Sequence, residues 1–231
     1  MQDMSGDRLE ENRESALERE IRVKDALIHE VHHRVKNNLQ TVESLLRLHI
    51  RCCTSEEARG VLVEAAVRLR SMAVVHEMLT EAAKERVEVV ELARRVTQQV
   101  KVGMRGDSDD FRIEVIGEPH RAPGSTAMSL ALVIAEITCN SFEHGFAGAD
   151  HGRIDILFEQ TGSGLKVTVA DDGRGLPSGF DLRKQSSMGL TLMRALVEDD
   201  LRSRLEEVPV PTGACFSFVV PDSVFEESAA A

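Results

Sequence analysis

From Leu27 to Leu79 the apolar positions recur with the spacing of buried helix faces. Ile28, Val35 and Val42 repeat every seven residues, interleaved with Val31, Leu39 and Leu46. Further on, Ala58, Leu62, Ala65, Leu69, Met72, His76 and Leu79 keep a strict 4-3-4-3 spacing. Such seams predict two long helices packed as in a left-handed bundle. Between them Thr54 and Glu57 have capping-box spacing, so the second helix is expected to begin there and the pair to form an antiparallel hairpin. A lone hairpin leaves half of each seam wet, and a homodimer that closes a four-helix bundle is the expected remedy. Upstream, residues 3–26 are mostly acids and arginines, with Leu17 and Ile21 among the few apolar positions. That stretch reads either as a solvated helix leading into the hairpin or as a frayed arm.

The periodicity changes near residues 84–90. Phe111–Ile116 alternates as a strand, and Ser125 or Thr126 is placed to cap a helix running to about His144. Ile154–Phe158 and Leu165–Val169 alternate around Thr161-Gly162-Ser163-Gly164, a hairpin signal. Gly189–Asp199 reads as helix, and Leu201–Val208 and Ala214–Val220 as closing strands. Runs of strands with helices able to cover one face predict an α+β two-layer sandwich rather than a doubly wound sheet. No Gly-x-Gly-x-x-Gly follows a strand, which argues against a dinucleotide fold. The expected organisation is a linker helix over 1–26, a helical hairpin over 27–85, the sandwich over 86–221 and a tail over 222–231.

Punctuation residues agree with this division. All six prolines fall at or after Pro119 and all eight phenylalanines at or after Phe111. The chain has 231 residues, 42% hydrophobic and 29% charged, a globular balance. A formal net charge of −11 argues against a general phosphate-backbone binder or a surface that adheres to anionic membrane. No run approaches a membrane span and the N-terminus is charged rather than signal-like, so a cytoplasmic protein is expected. Cys52, Cys53, Cys139 and Cys215 lack metal-ligand spacing and read as reduced thiols.

Chemistry gathers on the helix from Ser125 to His144. Met128–Ile137 is almost unbroken hydrophobe, so the helix is expected to be buried, yet Glu136, Asn140 and His144 stand at i, i+4 and i+8 on one face. A buried carboxylate costs several kcal/mol unless paired or bound to a cation. Glu136 and the Asn140 amide one turn away form a candidate site for a hard ion such as Mg²⁺. The alternative is that the stripe marks the solvent side of the helix. After the strand Val167-Thr168-Val169 comes Asp171-Asp172-Gly173-Arg174-Gly175: carboxylates at a strand end, then glycines that let backbone approach a ligand, or a plain Asp-Gly turn. Ser187-Met188-Gly189-Leu190 opens the next helix, where unpaired N–H groups favour an anion.

That order of parts resembles the GHKL ATP-binding domain shared by histidine kinases, gyrase-type ATPases, Hsp90-like chaperones and mismatch-repair ATPases, over roughly residues 86–221. The resemblance implies ATP and Mg²⁺ as cofactors. It assigns Glu136 and Asn140 to the acidic residue and Mg²⁺-binding asparagine of the first box, and His144 to the basic position one turn later. It makes Asp171 the acceptor of the adenine amino group, with Gly173 and Gly175 beside the nucleotide. Residues 176–188 become a lid from which Arg183 and Lys184 reach phosphates. The usual Gly-x-Gly-x-Gly of the last box stands here as Ser187-x-Gly189-x-Thr191, so Gly189 alone of its glycines is kept.

The first helix carries His29, Glu30, His32, His33, Arg34, Lys36 and Asn37 in one stretch. His29 and His33 have helical zinc-pair spacing without an evident third ligand. An exposed imidazole, mostly neutral at pH 7, offers a ring nitrogen able to attack phosphorus. The run from Leu27 to Gln40 closely resembles the phosphoacceptor helix of a class of sensor histidine kinases carrying His-Arg-x-Lys-Asn, in which the Ser-x-Gly-Leu last box also occurs. By motif position His33 is the acceptor and His32 the adjacent alternative, about 100° around the helix. Glu30, one turn before His33, is placed to orient its other ring nitrogen. The resemblance implies an ATP-dependent protein-histidine kinase core that relays its phosphoryl group to an aspartate on a response regulator receiver domain. Two rivals are a serine kinase of the same ATP-binding fold, which lacks such a hairpin, and a non-catalytic dimeric scaffold with a regulatory nucleotide pocket. No receiver or sensor domain is recognisable within these residues.

Overall fold

The computed structural model describes residues 4–82, 86–106, 108–182, 184 and 187–226; along the first helix, side chains are described at Lys24, Leu27 and from Glu30 onward. Arg183, the Ala229–Ala231 tail and the side chains of Leu17, Ile21, Ile28 and His29 lie outside the described residues.

Helix α1 runs without interruption over Met4–Cys52 and turns back into α2 over Glu56–Ala82. The turn is capped one residue later than expected. Ser55, not Thr54, takes the N-cap, its Oγ accepting from the Ala58 N–H at 3.3 Å, because α2 starts at Glu56 and Ala58 is then its third residue. The two helices face each other through half-buried Val35, Leu39 and Leu46 on α1. Across the seam Lys36 pairs with Glu77 at 2.7 Å, and Arg70 with Glu43. Val31 and Val42, expected in that seam, are 57% and 45% exposed, and with Leu27, Leu45 and Leu48 they leave apolar surface along α1 uncovered.

Helix α2 also has a second apolar face. Val67, Ser71, Val74, Val75, Met78 and Leu79 are buried, and α2 packs against α3 (Val89–Arg105) and α4 (Gly124–Asn140). The chain enters α3 through a short strand β1, Arg86–Glu88, which pairs with β3, Arg121–Pro123. Glu88 caps α3 with both carboxylate oxygens, accepting from Val90 N at 2.9 Å and Glu91 N at 2.7 Å. Helix α4 begins behind Pro123 with no side-chain cap. Ser125 and Thr126 do not serve, and Thr126 instead donates to the Val224 carbonyl at 3.4 Å.

The sheet has five strands in the order β2-β4-β5-β7-β6. These are Phe111–Ile116, Gly152–Thr161, Gly164–Asp171, Cys215–Val220 and the two-residue Glu206–Glu207. β2 pairs parallel with β4 and the other neighbours are antiparallel, with β4 and β5 joined through the expected Gly162-Ser163 turn. The α+β sandwich expected from the pattern is therefore present. Alternation places Ile154, Ile156, Val167, Val169, Phe218 and Val220 in one core with Leu92 and Val96 of α3 and Leu130 and Ile134 of α4. Leu201–Val208 does not form the full closing strand expected of it. The Ser203 N–H bonds back to Val197 at 2.8 Å, and the Ser203 hydroxyl accepts from Val219 N at 3.0 Å, so a side chain takes the place of a ladder bond there. Helix α5 covers Met188–Ala195 and continues as a π-helical turn to Asp200; α6 is Asp222–Glu226. The segment Gly124–Gly145 is long and apolar enough to cross a membrane, but 83% of its most apolar window is buried inside the fold. It is the core helix of the sandwich.

Candidate functional site

A cavity of about 470 Å³ opens at the end of α4. There the helix changes winding: α4 stops at Asn140 and Ser141–Gly145 forms a wider π-helical turn. That turn, with Ile137 and Asn140, supplies one wall, including His144 and Gly145. Asp171, Arg174 and Gly175, at and after the end of β5, supply the second. Leu176, Pro177, Phe180, Ser187 and Leu190 form the third, and Ala214 and Phe216 of the neighbouring strand close the back. The lining therefore combines apolar side chains with one buried carboxylate, Asp171, and with the polar groups of Asn140, Ser141, His144, Arg174 and Ser187.

Asp171 is 9% exposed and its two oxygens are used differently. Oδ1 accepts from two backbone N–H groups, Gly173 at 3.0 Å and Ala214 at 3.2 Å. Oδ2 accepts from the Ser141 hydroxyl at 2.8 Å. That hydroxyl also lies 3.2 Å from the Ile137 carbonyl, but it has one proton, and the shorter bond to a carboxylate is the stronger. Asp171 is thus fixed, with Oδ2 the oxygen that keeps capacity for a donor in the cavity. Ser141 escaped the sequence reading although it directly follows Asn140, because a serine there carries no periodic or motif signal of its own.

The glycines act by permitting contact between backbones. A Cβ on Gly173 would sit 2.6 Å from the Gly145 carbonyl oxygen, and one on Gly213, at φ +75°, only 1.7 Å from that of Asp171. Gly175, at φ +78°, would meet the Gly213 carbonyl at 2.9 Å. The Arg174 N–H donates to the Gly145 carbonyl at 3.0 Å and Asp171 N to that of Ala214 at 2.9 Å. Gly175 lines the cavity, whereas Gly173 acts behind it, through Asp171.

The expected polar stripe on α4 divides. Asn140 and His144 line the cavity; Glu136 does not. Its side chain is 6% exposed and faces the hairpin, where Arg68 of α2 grips both oxygens, Nε to Oε1 at 2.5 Å and Nη2 to Oε2 at 3.0 Å. With both oxygens taken by a guanidinium, Glu136 is not in position to share a cation with Asn140, which corrects that expectation. The geometric reason is one of direction: the carboxylate leaves α4 toward α2, and the nearest cation there is Arg68. Removing one partner of such a buried pair costs about 3–5 kcal/mol. Arg68 also pairs with Glu64 at 3.1 Å and donates to the Met188 sulfur at 3.8 Å. Glu64 and Glu143 add negative charge to this junction, and Glu143 titrates above the usual carboxylate range, first because it is buried and then because Glu64 and Glu136 repel its charged form. Burial likewise pushes the Cys139 thiol far up. In sequence, Glu64 and Arg68 look like an ordinary solvated i,i+4 pair, which is why Arg68 was missed.

Of the last-box residues, Ser187 caps α5, its Oγ accepting from Leu190 N at 3.4 Å, and both line the cavity. Gly189 does not; its hydrogen faces Glu136, and a Cβ there would lie 2.6 Å from Oε2. Lys184 is 83% exposed and pairs with Asp181 at 3.1 Å, away from the cavity lining. Among the described residues, the arginine that lines the cavity wall is Arg174, which precedes the expected lid.

On the hairpin, His32 and His33 part company. His32 is half-buried, its Nδ1 2.9 Å from Nδ1 of His76 across the seam. Burial, and then the neighbouring His32, hold the His76 pKa below its ordinary value. His33 is exposed, with Nδ1 3.3 Å from the Asn37 side-chain nitrogen. Glu30 does not make the contact expected of it. Its Oε1 accepts instead from Arg34, a full positive charge four residues on, at 2.6 Å.

Two family models match the chain, one described as histidine kinase over residues 30–102, the other as histidine kinase-like ATPase domain over 112–208. The sensor histidine kinase PdtaS of Mycolicibacterium smegmatis is 40% identical over 191 residues, which is 82% of this chain and 38% of that protein. This chain belongs to the histidine kinase family. Blue-light-activated histidine kinase 2 of Erythrobacter litoralis is 26% identical over 207 residues, 85% of this chain and 57% of that one. This histidine kinase chain therefore spans less than two thirds of the length of either relative. The solved histidine kinase domain of the Erythrobacter litoralis EL346 blue-light activated kinase shares the fold, with a TM-score of 0.64 and 23% identity over 87% of this chain and 96% of that one. The GHKL-type sandwich and the helical hairpin are thus both those of histidine kinases.

Proposed function

We propose that the chain is the catalytic core of a two-component sensor histidine kinase, with a phosphotransfer hairpin over 27–85 and an ATP-binding domain over 86–221. The observation that carries this is the pairing, in one chain, of an exposed histidine on a hairpin helix with a largely apolar cavity that holds one fixed carboxylate. An adenine fits beside that carboxylate: its rings meet Ile137, Leu176, Phe180 and Phe216, and its amino group donates to Asp171. The phosphates then lie toward Asn140, His144, Arg174 and the start of α5. Asn140 fits a Mg²⁺ ligand, offering an amide oxygen to the cavity. When bound with ATP, that ion supplies charge neutralisation of the phosphates.

The acceptor is His33. When the Asn37 amide, whose nitrogen lies toward Nδ1 in the structure, turns its oxygen there instead, Nδ1 keeps its proton and Nε2 presents a lone pair. Nε2 attacks the γ-phosphorus in line, the bond to the bridging oxygen breaks and ADP leaves; the imidazolium then loses its Nδ1 proton. Little more than position and charge neutralisation is asked of the protein. The phosphoramidate so formed is labile enough to pass its group to a receiver-domain aspartate. The apolar surface along α1, with Val61 of α2 54% exposed, supports a homodimer closing a four-helix bundle. A cytoplasmic location accords with ATP as phosphoryl donor.

The test is incubation with γ-labelled ATP and Mg²⁺ of the wild type, His33→Gln and His32→Gln. An acid-labile, base-stable label lost only in His33→Gln is expected. A wild type that binds nucleotide and takes up no label refutes autokinase activity and leaves the scaffold reading.

A further inference from the structure

The π-helical turn Ser141–Gly145 carries much of what a ligand in the cavity meets. His144 and Gly145 line the cavity from it. Its first residue, Ser141, donates to Asp171 Oδ2 at 2.8 Å, and the carbonyl of its last, Gly145, accepts from Arg174 N at 3.0 Å. Such winding is rare and occurs mostly as single turns within α-helices, so its persistence here depends on what holds it from outside.

Arg105, the last residue of α3, supplies that hold. A basic residue at a helix end is ordinary, but its donors leave α3 for the other turn. Nη2 donates to the Phe142 carbonyl at 3.1 Å and to the Phe146 carbonyl at 3.0 Å. Those two carbonyls bracket Glu143, His144 and Gly145. The last carbonyls of a helix lack intrahelical partners and carry partial negative charge, which favours a cationic donor. The guanidinium is itself seated: its carbon lies 5.0 Å from the centroid of the Phe111 ring, a cation–π contact. Phe111 packs in turn on Phe142 and Phe146, with ring centroids 5.6 Å and 5.4 Å away. Gly152 leaves room for this cluster, since a Cβ there would lie 2.5 Å from the Phe146 ring. Arg105 does not line the cavity, so it reaches a ligand only through the turn.

We infer that Arg105 is a positioning residue for the nucleotide site, acting through the turn Ser141–Gly145 on His144 and Asp171. The inference rests on the reading of the cavity as an ATP site for its effect on affinity, and on the geometry alone for the hold on the turn. Release of the two carbonyls lets the turn rewind, which shifts His144 and Gly145 around the helix axis. Arg174 N then loses its fixed acceptor, and Asp171 Oδ2 its fixed donor.

The test compares wild type, Arg105→Gln and Arg105→Lys by circular dichroism, by calorimetric titration with ATP and Mg²⁺, and by hydrogen–deuterium exchange over residues 141–147. For Arg105→Gln we expect faster exchange in that segment, slowed again by saturating ATP. A turn wound for binding about one tenth of the time raises Kd about tenfold. Arg105→Lys keeps a cation and its donors but not the flat group over Phe111, and its Kd falls between. A folded Arg105→Gln with Kd within about twofold of wild type overturns the inference, even where its melting temperature drops, because an arginine that only stabilises leaves the affinity of the folded protein alone. Where Arg105→Gln does not fold, Arg105→Lys decides by the same criterion. Unchanged exchange over the turn overturns the inference whatever the affinity. A wild type that binds no ATP refutes the nucleotide reading instead, and faster exchange in the variants then still upholds the hold on the turn.

Discussion

Asp171→Asn separates the carboxylate's two tasks. Oδ1 accepts from two backbone N–H groups, so the amide oxygen of an asparagine must take that place. Its NH₂ then occupies the position of Oδ2. Ser141 tolerates the exchange, because a hydroxyl that donated to a carboxylate turns and accepts from an amide. A bound adenine does not: its amino group, a donor, meets a donor. The loss is one hydrogen bond to a charged acceptor, about 1.5–3 kcal/mol, which is about 10- to 150-fold in Kd. The fold pays less, since two backbone bonds are kept and lose only their charge assistance, about 1 kcal/mol in all. Calorimetric titration with ATP gives the affinity. Circular dichroism gives the stability, a useful choice for a chain with no Trp or Tyr. A Kd within twofold of wild type, in a variant of unchanged helicity and melting, refutes the placement of adenine against Asp171.

The hairpin is expected to be sensitive to acid. The His76 pKa is lowered in the fold, so the unfolded chain binds more protons as pH falls below about 6.5, and stability present at neutral pH is lost on acidification. Urea melts of the wild type and His76→Gln at pH 7.5 and 5.5 check this: the wild type should lose more stability between the two, and equal losses refute it. Leu45→Glu places a charge on the uncovered apolar surface of α1, where Leu45 is 52% exposed. Sedimentation at micromolar concentration should show a shift from dimer to monomer with helicity retained, and an unchanged distribution rules this surface out as the interface.

The secondary pattern was legible where one element has one buried face. The β4–β5 hairpin and its two-residue turn follow from alternation and the Thr-Gly-Ser-Gly signal, and the two hairpin helices from their heptads. Helix α2 was half legible. The 4-3 seam through Leu62, Ala65, Leu69 and Met72 marks the side toward α1, and those residues are half-buried. The tighter packing, at Val67, Ser71, Val74, Val75 and Met78, is on another face that only the sandwich reveals. A helix apolar on two sides has no single dominant period. Helix α3 went unread although Leu92, Val96 and Val100 lie on one buried stripe, since its start is capped by a glutamate rather than by the usual short polar residues.

The site shows the same limit. Asn140, His144, Asp171, Gly175, Ser187 and Leu190 converge on one cavity, because their spacing places them at the ends of elements that meet there. Glu136 was singled out correctly as a buried charge needing a partner. Its partner lies on a helix about seventy residues away, and no local pattern names it. The switch from α to π winding at Ser141 is equally silent in sequence, yet it sets the direction in which His144, on that turn, meets the cavity.

The crossing of backbones at Gly145, Gly173 and Gly213 has a consequence for how a ligand is discriminated. Chain segments there touch through carbonyls and N–H groups, and the side chain they enclose, Asp171, is held through both oxygens. The carboxylate held in that lattice is oriented by the protein's own hydrogen bonds before anything binds. A base entering the cavity therefore meets a template already cast, and none of its binding energy goes into ordering one. Such a template is strict: it rejects a base that presents an acceptor at that point, because the mould has no softer shape to fall back on. Tuning of affinity is left to the opposite wall, from Leu176 to Leu190, where side chains rather than their absence make the contact.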